Sequence, residues 1–144
     1  MYQKDFLSLE EARKAADAIL DAASKKDPFY PIAVAVFDLC GDPIYFAKMD
    51  GTSRNAVRLA NNKAYTSALM KRSTHTVAEF MQKNNWTIGT WGDDKYTDVA
   101  GGLCILKEDC STPVAGIGVA GIPTAEGDEE LAFIGPKALG LASR

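Results

Sequence analysis

The sequence predicts an α+β layered domain, an antiparallel sheet with helices packed on it. Three observations carry that reading. Short apolar runs come in pairs separated by tight turns, as hairpins do. Longer segments with helical spacing lie before, between and after the pairs. No strand alternates with a helix in the manner of a parallel sheet.

The elements follow in chain order. Ser8 to about Lys25 carries Leu9, Ala12, Ala15, Ala16, Ile19, Leu20 and Ala23 at helical spacing, and Ser8 with Glu11 fits a capping box. Asp27-Pro28 ends this helix, because proline disfavours helical backbone in the residue before it. "IAVAVFD" (Ile32 to Asp38) is continuously apolar and too short for a buried helix, so it is a central strand covered on both faces. "DLCGDP" turns the chain, with Gly41 supplying the permissive backbone, and "PIYFAKM" returns as a second strand closed by "MDGTS".

From about Arg54 to Arg72 the period is helical, with Val57, Ala60, Ala64, Ala68, Leu69 and Met70 on the buried side. Thr76 and Glu79 suggest a second capping box, opening a short helix to Lys83. Residues 84–100 have no clean period and carry Trp86, Trp91 and Tyr96, which marks a binding or interface loop. "GLCILK" and "TPVAGIGVAGI" are two further strands. Gly116 and Gly118 share one face of the second, a bare surface that a helix or a ligand can approach closely. A last helix is expected from Thr124 to about 142, bent or divided at Pro136.

The 144 residues suit one domain, residues 1–144, and 47% hydrophobic against 24% charged residues supply a core. A net charge of -3 argues against broad nucleic-acid binding. No apolar run approaches ~18 residues, so no membrane span is expected. The N-terminus lacks the basic and apolar regions of a signal peptide. The cysteines, Cys40, Cys104 and Cys110, are odd in number and form no C-x-x-C pair, so a disulfide framework is not expected and a reducing cytoplasm is the expected setting.

Gly116 to Gly121 matches G-x-G-x-x-G, but the glycines lie inside a strand rather than at a strand-to-helix turn, so close helix–sheet packing explains them better than a dinucleotide. The segment after Asp50 holds no acid before Glu79, yet carries Arg54, Arg58, Lys63, Lys71 and Arg72. Arg58 and Lys71 suit a solvated helix surface. Lys63 lies beside Ala60, Ala64 and Tyr65, nearer the apolar side, where it could pair with an anion or act in acid–base chemistry if buried. His75 is the sole histidine, which excludes bis-His haem ligation within one chain and a His-rich zinc site. Trp91 and its neighbours suit core anchors, oligomer contacts or a ligand wall.

Taken in order, "LSLEEARKAADAI", "IAVAVFDLCGDPIYFAKMDG", "ANNKAYTSA", "AGGLCI" and "VAGIGVAGIPTAEGDEELA" resemble the GlcG/HbpS family, the haem-binding-protein-like domain also found at the C-terminus of PduO. The resemblance spans nearly the whole chain. It implies a profilin-like α/β/α domain with about five antiparallel strands, and a homo-oligomer from dimer to octamer. It also implies a shared pocket lined by Met49, Asp50, Gly51, Lys63, Ala64, Tyr65, Gly101, Gly102, Gly118 and Gly121. Haem is the cofactor it suggests: Lys63 or Arg54 would pair with propionates, and Tyr65, His75 or Met49 would be the axial candidates, with Trp91 as a wall. The alternative is a cofactor-independent enzyme acting on a small carboxylate or aromatic compound, with Lys63 or Asp50 as acid or base.

Overall fold

The computed structural model describes residues 1–144. Ser8 accepts from the Glu11 amide while Glu11 returns a bond to the Ser8 amide, the expected capping box, and helix α1 runs Leu9–Ser24. Strands β1 (Ala33–Phe37) and β2 (Pro43–Lys48) form the first hairpin, with Gly41 at φ 87° in its turn. Helix α2 (Arg54–Met70) starts at the Ser53 N-cap and stops at Lys71, which adopts left-handed backbone. Helix α3 (Thr74–Asn84) follows at once, and a 3-10 turn (Ile88–Trp91) interrupts the aromatic loop. Strands β3 (Gly102–Leu106) and β4 (Pro113–Ala120) form the second hairpin, helix α4 spans Ala125–Ala138, and a two-residue strand β5 (Ala142–Ser143) closes the chain.

All strand pairs are antiparallel and the sheet order is β2-β1-β4-β3-β5. Helices α1 and α4 cover one face and α2 the other, giving the α/β/α layers of the profilin-like expectation. Register then sorts the side chains, since alternate residues of a strand point to opposite faces. Val36 and Leu103 both pair with Ile117, and Val34 pairs with Val119. With Ile105, these aliphatics join Ala12, Ala16, Ile19 and Leu131 in the core under α1 and α4. The intervening residues, Ala33, Ala35, Phe37 and Ala120, meet Ala56, Ala60, Ala64 and Ala68 of α2.

Two expectations need correction. The cap of α3 is Ser73, whose hydroxyl accepts from the Thr76 amide; Thr76 lies inside the first turn, so the Thr76–Glu79 box does not form. The last helix stops at Ala138 rather than near 142, because Gly140 takes φ 68° and releases the chain into β5. Pro136 sits inside α4 without dividing it, one turn from the end where few helical bonds remain to lose. The bare face of β4 receives helix α2, the close helix–sheet packing expected of its glycines.

Candidate functional site

Gly102, Gly116 and Gly118 lie side by side across β3 and β4 beneath α2. A Cβ on Gly118 would strike the Ala60 carbonyl oxygen, and one on Gly116 the Ala64 carbonyl oxygen; on Gly102 it would stand 2.6 Å from the Lys63 carbonyl oxygen. The α2 backbone thus rests directly on the strands, which only glycine permits at such an approach. This close seat drives Lys63, on the sheet-facing side of α2, fully out of solvent.

Its ammonium donates to the Val119 carbonyl at 2.9 Å and to Asp128 Oδ2 of α4 at 2.9 Å. Asp128 Oδ1 accepts from the Ile122 amide at 2.9 Å, so one carboxylate ties α2 to the loop leading into α4. Burial pushes Lys63 below the usual lysine range and Asp128 above the usual carboxylate range, and their mutual attraction opposes both shifts. The positive charge proposed to await an anion is therefore already met by an internal carboxylate. Asp128 was legible in the sequence only as a helix-start acid; nothing local signals a partner 65 residues away.

Two concavities flank this pair's helix. One, about 280 Å³, opens between the first turns of α2 and α4 and has Lys63, Asp128, Ser53, Asn55, Leu59 and Ile122 among its walls. The other, about 380 Å³, lies on the far side of α2, between its C-terminal end, α3 and the aromatic loop. Met70, Val77, Phe80, Trp91 and Tyr96 line it, with Arg72 beside them. The Arg72 guanidinium carbon stands 5.8 Å from the Phe80 ring centroid, close enough for a cation–π contact.

The groove's rings belong to a chain of six that runs inward from the surface. Trp86 meets Phe80 edge-on at 5.6 Å, Phe80 stacks on Trp91 at 6.2 Å and 13°, and Trp91 meets Tyr96 at 5.8 Å. Tyr96 leans on Tyr65 at 5.5 Å, and Tyr65 meets Phe37 edge-on at 6.2 Å. The Tyr65 hydroxyl donates to Asp93 at 2.5 Å, which pushes the phenol up to about 12 and pulls the carboxyl down. The Thr97 amide donates to the buried Thr66 hydroxyl at 2.9 Å. These two bonds hold the loop that carries Trp91 and Tyr96 against α2.

The residues expected to share one pocket are distributed among several places. Gly101, at φ 124°, lies against the Lys63 ammonium, and Gly102 lies under α2. Trp91 walls the aromatic groove, with Tyr65 behind it through Tyr96. Arg54 shares a shallow depression with Asn55 and Arg58. Asp50 and Gly51 are exposed at the β2–α2 turn, whereas Met49 packs against the core under α1 and α4. His75 is exposed, 3.1 Å from Glu79 Oε1 and 3.6 Å from Glu129 Oε2. Met70, Arg72 and Phe80 were not expected site residues. Phe80 falls on the helical stripe of Val77 and Met81 and reads as core, and nothing in the sequence says that Trp91 stacks on it.

All three cysteines are free; Cys104 is buried in β3, and burial pushes its thiol up to about 11, while Cys40 and Cys110 are exposed. No group of three or more His, Cys, Asp or Glu side chains is arranged to hold a metal ion, and no helix is long and apolar enough to cross a membrane.

No curated protein sequence gives a significant match. Among solved structures, a double mutant of HbpS from Streptomyces reticuli matches with a TM-score of 0.85 at 32% identity, covering 97% of this chain and 91% of that one. A PduOC:Heme complex matches at 0.84 with 21% identity over 95% and 97%, and the Klebsiella pneumoniae protein ORFY at 0.85 with 21% identity over 97% and 94%. At that identity these last two speak to the fold alone. The family model described as haem degrading protein HbpS-like matches residues 7–135, nearly the whole length of the fold just described. The chain belongs to the HbpS-like family.

Proposed function

We propose that this protein binds a flat, apolar, anionic small molecule in the groove between α2, α3 and the aromatic loop, with haem or a related macrocycle as the first candidate, and that it works as a homo-oligomer. One observation carries the reading: a wall of Phe80, Trp91 and Tyr96 stands beside the Arg72 guanidinium. Planar rings stack on such walls, and a cation at the edge meets carboxylates that remain near solvent. The family relationship supports the choice of haem, since HbpS-like proteins are described by that group.

The donor set suits a macrocycle better here than at the residues first expected to ligate it. The Met70 thioether and the Tyr96 phenol line the groove, and either type of atom can ligate haem iron. By contrast, the Tyr65 hydroxyl is engaged by Asp93, Met49 lies on the other side of the sheet, and His75 stands between two glutamates. Bound haem would supply iron redox or ligand chemistry. The chain's own residues would stack the ring, pair its acids and exclude water from its buried edge. Enzymatic acid–base use of Asp50 finds no support, because that side chain is exposed and lines neither concavity.

Titration with hemin tests the reading. A saturable Soret shift with quenching of tryptophan fluorescence is expected, and Trp91→Ala and Arg72→Ala should each weaken binding, the former by roughly tenfold through lost stacking area. Absence of any Soret shift removes haem as ligand. A shift indifferent to both substitutions removes the groove.

A further inference from the structure

The aromatic wall of the groove continues past it as an unbroken line of oxidisable rings. Trp86 meets Trp91 directly, edge-on at 6.5 Å, so the line does not depend on Phe80, which resists oxidation. Trp91 meets Tyr96 at 5.8 Å and Tyr96 meets Tyr65 at 5.5 Å, centroid separations of direct ring contact. Both tryptophans of the chain stand in this line. Tyr65 is the one tyrosine of five whose hydroxyl donates to another side chain, Asp93 Oδ2 at 2.5 Å. That bond pushes the phenol up to about 12, so the hydroxyl is protonated at rest and losing an electron must also move its proton. Anchoring the loop would need only apolar bulk and a polar contact. Indole, phenol and a carboxylate in this order are what one-electron chemistry needs.

We propose that Trp91, Tyr96 and Tyr65 form a relay that carries an oxidising equivalent out of the aromatic groove, with Tyr65 as the radical site and Asp93 as the acceptor of its proton. This role rests on the groove reading for its oxidant, a guest there that a peroxide has converted into a one-electron acceptor. The acceptor takes one electron from Trp91, and Trp91 is refilled through Tyr96 from Tyr65. The Tyr65 O–H bond breaks, its proton passes to Asp93 Oδ2, and a neutral phenoxyl remains. The proton transfer runs downhill, because an oxidised phenol is a far stronger acid than a carboxylic acid. Asp93 is only half-buried, and hands the proton on to water.

Pulse radiolysis tests the relay without any guest. Azide radical oxidises indole ahead of phenol, and both indoles lie in the line. The indolyl absorption should convert into phenoxyl absorption at a rate that does not change with protein concentration. Tyr65→Phe keeps the ring and its packing, and should slow that conversion tenfold or more. Asp93→Asn keeps a hydrogen-bond acceptor in the loop but takes no proton, and should slow it several-fold, with circular dichroism unchanged in both variants. An absent phenoxyl signal, a rate proportional to protein concentration, or a rate indifferent to either substitution overturns the relay. Hemin binding is read separately. A chain that binds hemin without this conversion loses the relay alone; one that converts without binding hemin keeps the relay and loses the guest.

Discussion

The two faces of the sheet solve the same packing problem in opposite ways. Under α1 and α4 the strands present Val34, Val36, Leu103, Ile105, Ile117 and Val119, large side chains that hold the helices off the strands by their own bulk. Under α2 they present mainly alanine and glycine, with Phe37 at one end, and the helix backbone sits almost on the sheet. The first face gains from the area of apolar surface removed from water. The second gains less of that area per residue, and depends on close fit of backbone to backbone. The difference teaches where charge can be buried. A helix seated this near the strands brings Lys63 within hydrogen-bonding distance of the Val119 carbonyl at the end of β4, which a helix held off by leucines could not do.

The sharpest way to break the comparison is to add bulk to the close face. Gly118→Val puts a Cβ into the Ala60 carbonyl oxygen and 2.5 Å from the Ala64 amide nitrogen, both backbone atoms that no rotamer change can move. It should cost more than about 3 kcal/mol, read by urea denaturation, or leave no folded protein. Next comes the charge that this face encloses. Lys63→Met leaves the Asp128 carboxylate buried without a counter-charge and should cost about 3–5 kcal/mol, whereas adding Asp128→Asn should recover most of it. If the double variant is as unstable as the single, the loss lies in packing rather than charge. The smallest effect belongs to the bulky face. Ile117→Val removes one buried methylene group and should cost about 0.5–1.5 kcal/mol with the melting transition still cooperative.

Legibility followed the range of the interactions. The Ser8–Glu11 box was readable because its partners are three residues apart. The cap of α3 was assigned to Thr76 rather than Ser73, since several hydroxyl residues in a row satisfy the same local rule and only the path of the chain chooses among them. Strand β5 was missed because two residues carry no period, and its pairing with Ile105 and Leu106 is made across the sheet. The site fared worse. Lys63 stood out by its place on the helix, and Trp91 by its loop, but they lie in different concavities. Neither Arg72 nor Phe80 stood out as a site residue in the sequence, yet together they frame the aromatic groove.

What the sequence determined by itself is the kind and order of the elements and the face each one buries. Period, capping and turn residues act over a few positions, and those positions are adjacent in the chain. The family resemblance added the layers. Only the tertiary structure decided which side chains meet: that the bare glycines of β3 and β4 admit α2, that Lys63 ends against Asp128, and that the aromatic loop folds back on α3. Those contacts join residues dozens of positions apart, and their strength depends on distances of a few tenths of an ångström that no local pattern encodes.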